Sequence, residues 1–123
     1  MNIIELFEDT PDVVDVPVGE AIFERGDPGD RMYVVLEGIV EIRLGDRVLE
    51  TVDPGGIFGE MALVDPAIRS ATAVAQSACR LAIVDQELFL HMVQQAPPFA
   101  LAMMRILASR LRKADRKLEP SRR

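Results

Sequence analysis

Residues 58–75 read FGEMALVDPAIRSATAVA. Glu60 and, nine residues later, Arg69 stand in a run that is mostly apolar or very small. Gly55, Gly56 and Gly59 let the backbone bend tightly and come close to a ligand. The helix formers Glu60, Met61, Ala62 and Leu63 precede Pro66, which limits their run, so a one-turn helix with free N–H groups at its start is expected, a ready anion site. Ile68 and residues 71–74 resume an extended run, with Arg69 at its entrance. A guanidinium keeps its charge, so burying it demands an anionic partner. A phosphate supplies one bidentately. Glu60 can pair with Arg69 or accept hydrogen bonds from a vicinal hydroxyl, and Ala62, Ser70 and Ala71 leave room beside both. An acid for a sugar hydroxyl, with an arginine and free amides for a phosphate, describes a nucleotide pocket.

On either side of this stretch, from Val13 to about residue 85, the chain is a series of short β-rich runs: VVDVPV, AIF, MYVVLEG, IVEIRL, RVLETV, SATAVA and CRLAIV. Val40, Glu41, Ile42, Arg43 and Leu44 alternate as in a strand with one wet face. The breaks GDPGD, LGDR and DPGG carry turn chemistry. About seven or eight strands at this spacing predict a mainly β, jelly-roll-type fold over about residues 13–85. Ile3, Ile4, Leu6 and Phe7 suit a helical turn ahead of it. After Val84 the period changes. Asp85 can cap a helix over about 86–96, ended by Pro97 and Pro98, and a second helix is expected over about 99–118. In that helix Ala100, Met104, Leu107, Leu111, Ala114 and Leu118 recur at heptad spacing. Such a stripe serves a homodimer or packs on the β-domain of its own chain. No repeat or linker interrupts residues 1–123, which read as one domain.

Composition narrows the function. At 49% hydrophobic and 28% charged, the chain can build a real core and is soluble. The net charge of -6 argues against nucleic acid as the direct partner. From Arg105 onward the balance is +6, against -12 before it. That basic tail can meet a phosphate backbone or an acidic partner, but the preferred reading is a solvated helix face with cations near its C-terminus. No apolar run is long enough to span a bilayer. The start, MNIIELFEDT, lacks the basic region of a secretory signal, and one cysteine makes no internal disulfide. A cytoplasmic protein is expected.

The stretch resembles the phosphate-binding cassette of cyclic nucleotide-binding domains. Phe58-Gly59-Glu60, then Ala62-Leu63, then Arg69-Ser70-Ala71-Thr72 match the family pattern at its Glu-to-Arg spacing. Upstream, FERGDPGDRMYVVLEGIVEI looks like the family's first glycine turn and the strands after it, and a β-run followed by two helices is the family order. The resemblance covers about residues 10–118 and implies a β-roll of jelly-roll type with flanking helices. It implies that Glu60 binds the ribose 2′-hydroxyl and that Arg69 binds the cyclic phosphate, helped by Ser70 and by amides near Gly59, Met61 and Ala62. Phe58 and Ala71 complete the implied cassette, and Ile42, Leu49 and Val52 lie against the base, which the last helix covers. One departure is Ile68, where many members have proline; Pro66 stands two residues earlier. Family frequency favours cAMP over cGMP, although Ser70 and Thr72 offer hydroxyls of the kind that favour guanine in some members.

The resulting expectation is a ligand-binding regulatory module, not an enzyme, with no cofactor and no metal. A cupin-type metalloenzyme needs several histidine ligands, and the chain has only His91. The alternatives are a transcription regulator fragment lacking its helix-turn-helix and an interaction domain that keeps the fold without the ligand. Gly26, Gly29 and Gly38 read as turn glycines, not ligand contacts. Met61, Met92, Met103 and Met104 read as packing residues. His91 reads as a partly buried packing residue and Cys79 as a small buried hydrophobe.

Overall fold

The computed structural model describes residues 2–118, with side chains through residue 116. Along them run α1 (Ile3–Phe7), β1 (Val13–Val16), β2 (Ala21–Phe23), β3 (Pro28–Gly29), β4 (Met32–Glu37), β5 (Val40–Leu44), β6 (Arg47–Val52), β7 (Ile57–Phe58), α2 (Met61–Val64), β8 (Ala67–Ile68), β9 (Thr72–Ala75), β10 (Cys79–Val84), α3 (Gln86–Gln95) and α4 (Pro97–Leu118). Contacts divide the chain into two compact units, Asn2–Leu90 and His91 onward.

The first unit is a β-roll of jelly-roll type. One sheet has the order β1-β10-β4-β7, the other β2-β9-β5-β6, and β3 and β8 form a two-stranded ribbon. The pairings are antiparallel, with Tyr33 opposite Phe58, Val40 opposite Val52 and Ile42 opposite Ala73. Strand β4 shows what drives the roll. Met32 to Leu36 are all buried, so this strand is covered on both faces and shows no apolar–polar alternation. Tyr33 and Val35 join Val40, Val52, Phe58, Ala73, Ala75, Cys79 and Leu81 in the core. The pleat sends Met32, Val34 and Leu36 to the other face, where α1 and α2 pack on the strand. Each large side chain buried this way stabilises the roll by roughly 1.5–3 kcal/mol. Asn2 caps α1, its side chain accepting from the Ile4 N–H at 3.0 Å.

Among the described residues ten strands replace the seven or eight expected, because β3, β7 and β8 are two residues long, too short to show a period. The cap at Asp85 is present: its Oδ1 accepts from the Leu88 N–H at 2.8 Å.

In the second unit, α4 starts at Pro97 and not near residue 99. The two prolines end the preceding helix but open the next, since first-turn N–H groups have no intrahelical partner and proline's φ suits that position. Phe99 and Met103 are buried, whereas the heptad residues Met104, Leu107 and Leu111 are exposed. The side chain of Leu118 and residues 119–123 lie outside the described residues. His91, expected to be partly buried, is exposed. No helix among the described residues is long and apolar enough to cross a membrane.

Candidate functional site

Two loops make the site, and backbone hydrogen bonds zip them together. The Arg69 N–H donates to the Asp27 carbonyl at 2.7 Å, and the Gly26 N–H donates to the Arg69 carbonyl at 2.9 Å. Beyond the Arg69–Asp27 bond the pairing continues, with Pro28 opposite Ile68 and Gly29 opposite Ala67. The Arg25 N–H donates to the Thr72 hydroxyl at 3.0 Å, so that hydroxyl is already engaged as an acceptor. The upstream glycine block and the stretch around Arg69, separate in sequence, are one structural piece.

Gly59 turns the chain out of β7 with φ +75°, a conformation that side chains disfavour. Glu60 follows at the N-cap position of α2, and its side chain makes no capping bond there. The expected one-turn helix is therefore present, displaced by one residue. The Ala62 N–H donates to the Gly59 carbonyl at 3.3 Å. Ala62 is buried, and Met61, expected to pack, is 68% exposed. Ser70 is exposed and Ala71 buried.

Arg69 is the one buried charged side chain among the described residues, only 7% exposed. NH1 donates to the Gly59 carbonyl at 3.3 Å and NH2 to the Arg31 carbonyl at 2.9 Å, while Nε is buried without a partner. The guanidinium carbon lies 4.2 Å from the centre of the Phe23 ring. Phe23 belongs to an aromatic trio in which Tyr33 and Phe58 stack at 5.1 Å and Phe23 is 6.0 Å from each. Two carbonyls and an aromatic face steady the charge without cancelling it. A desolvated guanidinium whose contacts are neutral suits an incoming anion.

An open cleft of about 260 Å³ adjoins the guanidinium, lined among others by Phe23, Asp27, Gly29, Arg31 and Tyr33. Ile42, Leu49 and Val52 stand apart from it, on β5 and β6. Val52 is a core residue, Ile42 is partly buried against the core, and Leu49 is 39% exposed beside the irregularity at Ile42 and Arg43. Glu50, not singled out from the sequence, is directly opposite Ile42 and half-buried. Its two-residue spacing from Val52 is the signal that places it on the inward face.

Gly29 is the other residue whose place the sequence did not reveal. It belongs to the ribbon strand β3, without positive φ, and lies against the Arg69 side chain. Gly26 and Gly38 are left-handed turn glycines as expected. Cys79 is buried, with Sγ 3.2 Å from the carbonyls of Ile39 and Ser77, and burial pushes its thiol pKa up. Among the described residues no group of three or more His, Cys, Asp and Glu side chains is placed to hold a metal ion.

Known proteins resemble this chain in sequence and in fold. The profile of the family described as cyclic nucleotide-binding domain matches residues 13–96. The cyclic AMP receptor protein of Thermus thermophilus is 39% identical over 108 residues, covering 84% of this chain and 50% of that protein. The CRP-like cAMP-activated global transcriptional regulator of Mycobacterium tuberculosis is 32% identical over 110 residues, covering 85% of this chain and 49% of that protein. The chain thus spans about half the length of these curated relatives. The crystal structure of the Thermus thermophilus catabolite activator protein superposes with a TM-score of 0.77 at 36% identity, over 94% of this chain and 55% of that one. By fold, cassette and sequence, the chain belongs to the cyclic nucleotide-binding domain family.

Proposed function

We propose that this chain is a cyclic nucleotide sensor that takes cAMP in preference to cGMP, and that it acts as a regulatory binding module in the cytoplasm and not as an enzyme. Arg69 contacts the cyclic phosphate together with Ser70 and the backbone around Gly59 and Met61. Glu60 accepts from the ribose 2′-hydroxyl. Ile42, Leu49 and Val52 face the base. Occupancy is passed to α4, whose exposed Met104, Leu107 and Leu111 suit pairing with a second copy.

The observation that carries this reading is the buried Arg69, held by neutral groups at the turn that carries Glu60. The names of the relatives, a cAMP-activated transcriptional regulator and a cyclic AMP receptor protein, support cAMP as the ligand, and the first supports regulation as the role. Isothermal titration of the protein with cAMP and with cGMP tests it. Saturable one-site binding, tighter for cAMP, is the expected result. Tighter binding of cGMP overturns the preference, and no binding of either overturns the function.

A further inference from the structure

The guanidinium of Arg69 is fitted on three sides by residues that present almost nothing or a flat face. On one side is Gly29: a Cβ there would stand 2.9 Å from Cδ of Arg69 and closer still to its Nε and Cζ. The φ of Gly29 lies outside the left-handed region, so the backbone itself would accept alanine. The missing side chain matters because Arg69 occupies its space. On the second side is Gly59, where a Cβ would stand 2.9 Å from NH1. On the third is the Phe23 ring, 4.2 Å from Cζ, close enough for a cation–π contact.

We propose that Gly29 and Phe23 are positioning residues that form, with Gly59, a slot holding the Arg69 guanidinium at the cassette turn before any ligand arrives. Two N–H groups are engaged by the Gly59 and Arg31 carbonyls, which leaves a second N–H on each terminal nitrogen for an anion. An unconstrained arginine loses rotamer freedom when it binds. In the slot that ordering is complete once the chain has folded, and the anion meets a guanidinium already in place. The slot also explains the buried, unpartnered Nε: it lies in the space that a side chain at residue 29 would fill.

This inference rests on the reading of Arg69 as the phosphate contact, so its test has one arm that needs no ligand. Gly29→Ala, Arg69→Ala and the double variant are unfolded in urea. A clash between a methyl group at position 29 and the Arg69 side chain predicts that Gly29→Ala lowers the midpoint in the wild-type background and leaves it nearly unchanged in the Arg69→Ala background. Additive effects overturn the slot. In the second arm the same proteins, with Phe23→Leu and Phe23→Tyr, are titrated with cAMP. Gly29→Ala should weaken binding by about tenfold or more. Phe23→Leu should weaken it less, Phe23→Tyr should restore it, and neither Gly29→Ala nor Phe23→Leu should weaken binding further in the Arg69→Ala background. Wild-type affinity in Gly29→Ala overturns the positioning role. Absence of binding by the wild-type protein overturns the functional reading instead and leaves the unfolding arm to decide the slot.

Discussion

Arg69 donates to the carbonyl of Gly59 at 3.3 Å, which joins the base of the cassette to the turn that presents its acid. Gly59 can make that turn because it adopts φ +75°, and Glu60 follows it into the first turn of α2. The spacing of nine residues between Glu60 and Arg69 therefore has a structural cause. The intervening chain is one helical turn, a proline and the two-residue strand β8, which returns Arg69 to the Gly59 carbonyl.

Arg69→Ala is expected to weaken cyclic nucleotide binding by roughly 2–4 kcal/mol, about 30- to 1,000-fold, through loss of a charge-assisted contact in a desolvated site. The structure adds a second effect. The Arg31 carbonyl loses the Arg69 N–H and the Gly59 carbonyl keeps only the Ala62 N–H, which should destabilise the fold by roughly 1–3 kcal/mol without unfolding it. Titration and urea unfolding of the same variant measure both. Near-wild-type affinity sinks the phosphate assignment.

Glu60→Gln keeps the shape and removes the charged acceptor. The Glu60 side chain makes no capping bond to α2, so the substitution leaves the helix start alone. Affinity should fall by roughly 1–3 kcal/mol. The 2′-deoxy nucleotide should lose a similar amount against the wild type and little more against the variant. Equal binding of ribose and deoxyribose forms by the wild-type protein shows that Glu60 does not read the hydroxyl.

Much of this site is legible in the sequence because its chemistry is local. Pro66 limits a short run of helix formers, and the structure has the one-turn helix Met61–Val64. Asp85 caps α3 as its position suggests. What escapes is long-range. The ribbon of Pro28 and Gly29 on Ala67 and Ile68 has no period to detect, and Gly29 in GDPGD reads as one more turn residue until Arg69 is seen in its missing side chain's place. Met61 and Met104 are apolar by composition and exposed by position, a distinction that helix periodicity alone does not draw when both faces carry apolar residues. Pro97 reads as a stop where the chain uses it as a start.

Cys79 should make stability depend on alkaline pH. Burial raises its pKa in the folded protein above that of the unfolded chain, where a thiol titrates at about 8.5. The neutral thiol is favoured in the fold, so its contribution is fully present below the unfolded pKa and is lost as pH rises through the folded one. Unfolding midpoints should fall above pH ~8.5, and the Cys79→Ala variant should show a smaller fall over the same window. The native thiol should also react slowly with a thiol reagent until denaturant is added. Rapid labelling of the native protein contradicts the burial, and an identical alkaline slope in the variant assigns the effect to other groups.

The last expectation concerns α4 as the element that reports the ligand. It carries a buried pair, Phe99 and Met103, and a separate exposed apolar set at Leu101, Met104, Leu107 and Leu111. A helix with two apolar surfaces has two ways to be covered, which is the physical requirement for an element that changes partners. If cAMP binds one arrangement better than the other, the two equilibria are linked, with a coupling of about 1–3 kcal/mol in a typical switch. Amide exchange across residues 97–118 should then slow when cAMP is added, by about 5- to 150-fold at saturation for amides whose opening is controlled by that switch. Leu101→Lys and Leu111→Lys, placed on exposed positions, should change this response without altering the folding of the β-roll, read from exchange in β4 and β10. Unchanged exchange over 97–118, with slowed exchange at residues 58–72 in the same sample, would show that cAMP is bound and that α4 does not carry the signal.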